Sequence, residues 1–455
     1  MQPETGIKKR FLLICNDVMG KRMAGPAIRY YEMAKALSHY HDVTLIAPGS
    51  DEADFPELIL RPDAPGVVEA ESKLADFVIF QGDAMEKNPC LKSIKGVLIA
   101  DLYCPIALEY HQSSVGVVPD VRMQTAVYLA RLVSDQLHYA DHFICASEKQ
   151  QDFWLGALAV AGRINGLRWP NASHANIEEL VSLVPFGLPD QQPEKDGPGL
   201  RARFNIPLED FVAVWGGGIY QWLDPLTPIR AIHRLIAEGH KVHLVFMGVK
   251  HPNPNIHEHD MCTQAVELAK DLGLVNRFVH FNYGWVGYEQ RQNFFLEADV
   301  GVCAHFDNPE TRFAFRTRML DYLWCGLPIV TTRGDFFSDN VTKHQLGLAV
   351  DFESVGDWYV ALKKMNDYLD LRISCKQRIA TFSHTLTWTT IMHQFMKNIQ
   401  RGGIAADREV IRRDSSKSSI QLGLVFKLRR AYAVGGWRKI RDLVIQKLIS
   451  LVKLK

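Results

Sequence analysis

The chain is 455 residues long, 47% hydrophobic and 23% charged, with a formal net charge of +1. These fractions exclude wholesale disorder, a collagen and a coiled-coil rod, and the length suits two or three domains of ordinary size. No stretch reaches the roughly 20 apolar residues of a membrane-spanning helix, and eight scattered Cys form no CxxC pair.

Taken in order, the apolar run Phe11–Cys15 follows Lys8-Lys9-Arg10 but ends at Asn16-Asp17, too short for a leader, so a cytosolic chain is expected. Val43–Ala47, Phe77–Phe80, Val97–Ala100 and His142–Ala146 continue a first β-rich series, with helical stretches between. Gly187–Gly199, rich in Pro, Gly, Asp and Gln, reads as a linker. A second series follows in Phe211–Trp215, Val242–Met247, Phe278–Phe281, Val300–Ala304 and Pro328–Thr331. Continuous apolar strands are buried on both faces and belong in parallel sheets covered by helices. The expected fold class is α/β: two doubly wound, Rossmann-like domains, residues 1–186 and 200–385, facing across a cleft with 187–199 between them. A helix over 386–403 is expected to return to the first domain, and 404–455 to form a basic amphipathic helical tail. Ligands of open α/β sheets sit beyond the carboxyl ends of the strands, so the loops there are the places to search for chemistry.

The first strand runs toward Ala24-Gly25-Pro26, where Gly25 permits a tight turn and Pro26 suits the first turn of a helix. That helix would aim free N–H groups into the cleft, although a plain glycine turn has the same pattern. In the second series Gly216-Gly217-Gly218 follows Trp215, and Asp224-Pro225 suit the opening of a helix running to about Glu238. Glycines let a ligand approach the backbone and a helix N-terminus attracts anions, so Gly217 and Gly218 are candidate phosphate contacts. The loop is neither a Walker A nor a GxGxxG motif. Between two later strands, Pro309–Pro328 carries Glu310, Arg316, Arg318, Asp321 and Tyr322. In a helix from about Phe315, Arg318 and Asp321 share one face. Arginine forks suit diphosphate oxygens and carboxylates suit sugar hydroxyls, and a nucleotide sugar wants both at once. A solvated surface pair has the same spacing.

Together these segments resemble the GT-B glycosyltransferases, and more narrowly the large retaining family four (glycosyl transferases group 1), over about residues 8–400. The resemblance rests on Met23-Ala24-Gly25-Pro26, Val184–Pro189, Gly216–Gly218, and Arg318-Met319-Leu320-Asp321-Tyr322 with Gly326-Leu327-Pro328. The last is similar to the family's Lys-x-x-Glu-Tyr…Gly-x-Pro pattern. It implies that Asp321 binds the donor ribose and Arg318 the diphosphate, with Gly25, Gly217, Gly218, Trp285, Arg316 and Tyr322 also on the donor. It further implies a nucleotide-diphosphate sugar as substrate, retention at the anomeric carbon, no catalytic metal and no other cofactor. Two positions depart from the pattern. Phe313 stands eight residues before Asp321, where the family has a paired carboxylate; Glu310 is the candidate substitute. Tyr220, Gln221 and Trp222 stand where relatives often carry Arg and Lys, which moves phosphate neutralisation to Arg316, Arg318 and the helix N-terminus at Asp224-Pro225. Asp101 follows the strand Val97–Ala100 where many relatives carry a His, and is the candidate to orient a donor hydroxyl or take the acceptor's proton. Glu109 and His111 are candidates on the acceptor side, His111 reading equally as a surface histidine.

A metal at His251…His257-Glu258-His259-Asp260 is disfavoured, since the spacing fits neither HExxH nor a closed zinc pattern. From Arg408 to the end, thirteen Lys or Arg face three acids. From about Ile420 the basic residues alternate with Leu422, Phe426, Trp437 and Leu448, which suits a helix lying on an anionic membrane surface or one packed on protein. No nucleic-acid motif accompanies it. The function expected is a glycosyltransferase of polysaccharide or glycan assembly, cytosolic and peripheral at the membrane, with a glycan or lipid-linked acceptor. Its rivals are a GT-B-fold sugar-nucleotide epimerase and a noncatalytic sugar-nucleotide-binding subunit of a membrane assembly.

Overall fold

Seven strands, β1 (Arg10–Ile14), β2 (Asp42–Ala47), β3 (Ile59–Pro62), β4 (Phe77–Phe80), β5 (Val97–Asp101), β6 (His142–Cys145) and β7 (Val181–Leu183), form a parallel sheet of order 3-2-1-4-5-6-7. Six more, β8 (Phe211–Trp215), β9 (Val242–Phe246), β10 (Val279–Phe281), β11 (Val300–Cys303), β12 (Ile329–Thr332) and β13 (Gly347–Val350), form a second parallel sheet of order 10-9-8-11-12-13. The structure, a computed structural model, describes residues 8–20, 23–49, 55–170, 176–249, 260–284 and 286–414. The run 251–259, Trp285 and the tail from about residue 420 lie outside the described residues.

Central strands such as β4, β5, β8 and β9 are buried at every position, and the unbroken apolar runs of β4 and β8 follow from that. The two doubly wound α/β sheets anticipated from those runs are present. Three strands were not anticipated, and all three are sheet edges: β3, β7 and β13. Edge strands are covered less, so β3 and β13 are only partly buried and lack the continuous apolar signature. In each sheet the strand order reverses beside the first strand of its series: β1 lies between β2 and β4, and β8 between β9 and β11. The loops after β1, β8 and β11 therefore open at the two switch points.

The chain passes between the sheets at Gly187-Leu188 and again near Leu386, and the two passages are tied together. Leu188 N–H donates to Leu386 O at 2.7 Å and Trp388 N–H to Leu188 O at 3.0 Å. A Cβ on Gly187 would come within 2.6 Å of the Trp388 ring, so no side chain fits there. The helix Trp388–Gly402 packs on the helix Gly25–Ser38 of the first domain, and Asn398 donates to Ser182 and Glu178 at 3.1 and 3.0 Å. Beyond it, Asp407 accepts from Arg163, Arg168 and Asn165, and Arg408 pairs with Asp141. These mostly buried charges hold the chain from Ala405 to the helix Arg408–Asp414 on the first domain. Among the described residues no helix is long and apolar enough to cross a membrane.

Candidate active site

A cavity of about 190 Å³ lies between the two sheets' switch points. Met23, Ala24, Gly25 and Ile28 line it from the first domain; Gly217, Gly218, Tyr220, Tyr288, Arg291, Thr317, Arg318 and Asp321 from the second; Phe186, Gly187 and Trp388 from the crossings. The volume is below the roughly 300–1,000 Å³ of ordinary small-molecule pockets.

Gly25 opens the helix Gly25–Ser38, whose N-cap Ala24 has no side chain to bond the first N–H groups. The N–H of Gly25, a cavity-lining residue, therefore has no side-chain cap. A Cβ on Gly25 or Gly217 would meet nothing within 4 Å. At Gly217 the φ of +72° itself favours glycine, whereas at Gly25 neither strain nor packing calls for it, and the bare backbone leaves room for a ligand.

Arg318 begins the short helix Arg318–Trp324 and lies over the Trp215 ring at 5.1 Å. Its Nη2 donates to Gly218 O at 3.0 Å, while its buried Nη1 has no hydrogen-bond partner. Asp321, one turn on, lines the same cavity, but it does not pair with Arg318. Arg291 Nε donates to Asp321 Oδ1 at 2.7 Å, and the Arg291 guanidinium is stacked between Tyr288 at 3.7 Å and Trp324 at 4.5 Å. Tyr288 in turn donates its hydroxyl proton to Glu32 of the first domain at 2.9 Å. Burial raises the Glu32 carboxyl, with the Tyr288 bond pulling the other way. Arg291, Tyr288 and Glu32 were not anticipated. In the sequence Tyr288-Glu289-Gln290-Arg291 reads as an ordinary polar turn, and only the fold brings it beside Asp321.

Other anticipated residues are brought together differently. Arg316 was expected at the donor and Glu310 as a catalytic carboxylate, but Arg316 Nη1 and Nη2 donate to the two Glu310 oxygens at 2.8 and 2.6 Å, and both side chains are buried outside the cavity lining. The helix expected from about Phe315 is present but starts at Arg318. Pro309–Phe313 forms one short helix, Ala314 is extended, and Arg316 turns inward before the next helix starts at Arg318. The N-terminus at Asp224-Pro225 offers no free anion site either, since the N–H groups of Leu226 and Thr227 both donate to Asp224 Oδ1 at 3.1 Å.

Asp101 was expected to face the cleft. Instead its two oxygens accept from Arg29 Nε and Nη2 at 2.7 and 3.0 Å, with both side chains fully buried. Arg29 is the reason: it comes from the helix Gly25–Ser38 and lies against Tyr103 and Phe186, each ring 5.0 Å away. Glu109, partly buried, is hydrogen-bonded to the Cys104 thiol and lies near Glu310 and Arg316 of the other domain; burial pushes its carboxyl and the Cys104 thiol up. His111 is exposed, next to Arg122, and outside the cavity lining.

Tyr322 is buried under the glycine loop rather than lining the cavity. Its hydroxyl accepts from Gly216 N–H at 2.8 Å and donates to Val302 O at 2.8 Å, fixing the loop to β11. Tyr322→Phe leaves the Gly216 donor without that partner. The expected loss is about 1–3 kcal/mol of stability, read as a lowered urea midpoint.

Searched by sequence, the chain matches no protein-family model and no curated protein. Solved structures do resemble it. A sucrose-phosphate synthase from Thermosynechococcus elongatus has a TM-score of 0.59 at 14% identity, over 87% of this chain and 99% of that one. Anabaena Alr3699/HepE in complex with UDP-glucose has 0.60 at 16% identity, over 86% and 100%. WaaG, a glycosyltransferase involved in lipopolysaccharide biosynthesis, has 0.55 at 14% identity, over 86% and 99%. At these identities the likeness establishes the fold.

Proposed function

The chain has the two-domain GT-B fold, and from that premise we propose that it is a glycosyltransferase using a nucleoside-diphosphate sugar. The observation that carries this reading is the joint presence, in one interdomain cavity, of an acid, a buried guanidinium nitrogen without a partner, and a glycine-bare wall: Asp321, Arg318 Nη1, Gly217 and Gly25. Similar structures were solved with UDP-glucose or UDP, which makes uridine nucleotides the first donors to try.

In this reading Asp321 accepts the ribose hydroxyls, and Arg318 with the Gly217-Gly218 backbone receives the diphosphate. The bond from the anomeric carbon to the phosphate oxygen breaks, one to the acceptor oxygen forms, and the acceptor hydroxyl's proton passes to the departing diphosphate. Negative charge grows on the departing diphosphate, where a preorganised cation stabilises it most. Domain closure around a small cavity keeps water from taking the sugar. The resemblance supports retention, and the sequence of the tail from about residue 420 supports peripheral contact with an anionic membrane, where a lipid-linked acceptor for glycan assembly would be met.

The test is a panel of nucleotide sugars screened by thermal shift, followed by release of nucleoside diphosphate from any that bind. A stabilising donor whose effect is lost in Asp321→Ala, with slow turnover in its absence of acceptor, is the expected result. No shift from any donor overturns the placement of the site.

A further inference from the structure

We infer that Arg291 is the positioning residue of the ribose-binding acid, so that recognition of the ribose hydroxyls depends on Arg291 as much as on Asp321. The inference rests on the reading of Asp321 given above. It goes further, because a second residue, far from Asp321 in sequence, becomes a determinant of which nucleotides the cleft accepts.

A carboxylate on a short side chain at a cleft wall rotates freely unless something holds it. Asp321 is such a group: its side chain is 28% exposed, and among the described residues no hydrogen bond reaches its Oδ2. Oδ1 is held by Arg291 Nε at 2.7 Å. Arg291 is itself immobile, only 9% exposed. Its flat guanidinium lies between the Tyr288 and Trp324 rings, and its Nη1 donates to the Tyr288 carbonyl. A carboxylate pinned at one oxygen by a planar, sandwiched donor presents its remaining lone pairs in one fixed direction. A vicinal diol has two donors side by side, and needs both acceptor oxygens in a fixed plane. The assembly is also braced from the far side of the cleft, since Tyr288 donates to Glu32 on the helix Gly25–Ser38. The donor acid is thus oriented by a chain of contacts that includes the opposite domain.

The quantity that reads this role is the ribose increment: the ratio of Kd for a 2′,3′-dideoxynucleoside diphosphate to that for the parent nucleoside diphosphate. It is measured by calorimetry on the full chain with UDP, GDP and ADP and their dideoxy analogues. For the base that binds, the wild-type increment is expected to be about tenfold to a hundredfold, as for hydrogen bonds to a charged acceptor. Arg291→Met, which keeps the bulk between the rings, and Arg291→Lys, which keeps the charge but not the fork, are both expected to lower it below about threefold. The increment is a ratio, so any common change in diphosphate affinity cancels, and a urea titration of each variant reports that it is folded. Asp321→Asn separates the two ideas. If it leaves the increment intact, or if none of the nucleotides binds the wild type, the reading of Asp321 is wrong and the inference falls with it. If it erases the increment while both Arg291 variants retain it, Asp321 stands and Arg291 is only structural. Weakening toward parent and dideoxy nucleotides alike, with the increment kept at its wild-type value, also overturns the inference, since it marks a contact to phosphate or a general loss of packing.

Discussion

Arg318→Ala is expected to lower kcat/KM for sugar transfer by about a hundredfold to a thousandfold, the range found when one preorganised donor to a developing oxyanion is removed. The reason is a difference between two cations. Among the described residues that line the cavity, the arginines are Arg291 and Arg318, and Arg291 is already paired with Asp321. Arg318 donates only to a neutral carbonyl, Gly218 O, and keeps a buried Nη1 with no partner. A buried donor left unpaired costs free energy in the empty protein, and an arriving diphosphate oxygen removes that cost. Truncation should therefore act on turnover and nucleotide affinity. On the stability side, truncation loses the contact with Trp215, about 0.5–2 kcal/mol for a cation over a ring, and the hydrogen bond to Gly218 O. Steady-state release of nucleoside diphosphate and a urea titration on the same variant separate the two effects. Arg318→Lys should recover part of the rate, because an ammonium keeps the charge but not the bidentate fork. Turnover within threefold of wild type in Arg318→Ala would mean that the diphosphate lies elsewhere.

The sequence carried the central strands plainly, because β4 and β8 are apolar throughout and β5 and β9 nearly so, at positions that a doubly covered sheet must bury. It carried the glycine loop and the Arg318…Asp321 helix face for a similar reason, since each is a local pattern with a local cause. What it could not carry were pairings between segments distant along the chain. Asp321 and Arg291 are 30 residues apart and Arg29 and Asp101 are 72 apart. Asp101 closes β5 as read, and Glu310 stands three residues before Phe313, where the resemblance asks for a second carboxylate. Their chemistry depends on what faces them, and in each case an arginine does. Arg29 shows how little a one-dimensional pattern reveals: nothing local marks it, yet it is completely buried.

That pair gives the largest expected effect on stability. Asp101→Asn and Arg29→Met should each destabilise the protein by about 3–5 kcal/mol, because removing one partner of a buried ion pair leaves the other charge in a medium that cannot solvate it. Both side chains are at 0% exposure and share two hydrogen bonds, so water cannot step in for the missing partner. The double variant should be less damaged than the sum of the singles, by about 0.5–3 kcal/mol, since neither residual charge is then left alone. The same variants decide whether Asp101 touches the reaction. It lies outside the cavity lining, and its oxygens are held by Arg29. At a temperature where Asp101→Asn is folded, its kcat/KM should stay within about threefold of wild type, well short of the 100-fold or greater loss that removing a general base brings. A folded variant with wild-type nucleotide affinity and a hundredfold lower kcat would return Asp101 to the chemistry. It would require Arg29 to release the carboxylate when the domains close on substrate. The expected outcome runs the other way: the pair fixes the helix Gly25–Ser38 to the end of β5, and through that helix it sets where Gly25, with no side-chain cap on its N–H, meets the cavity.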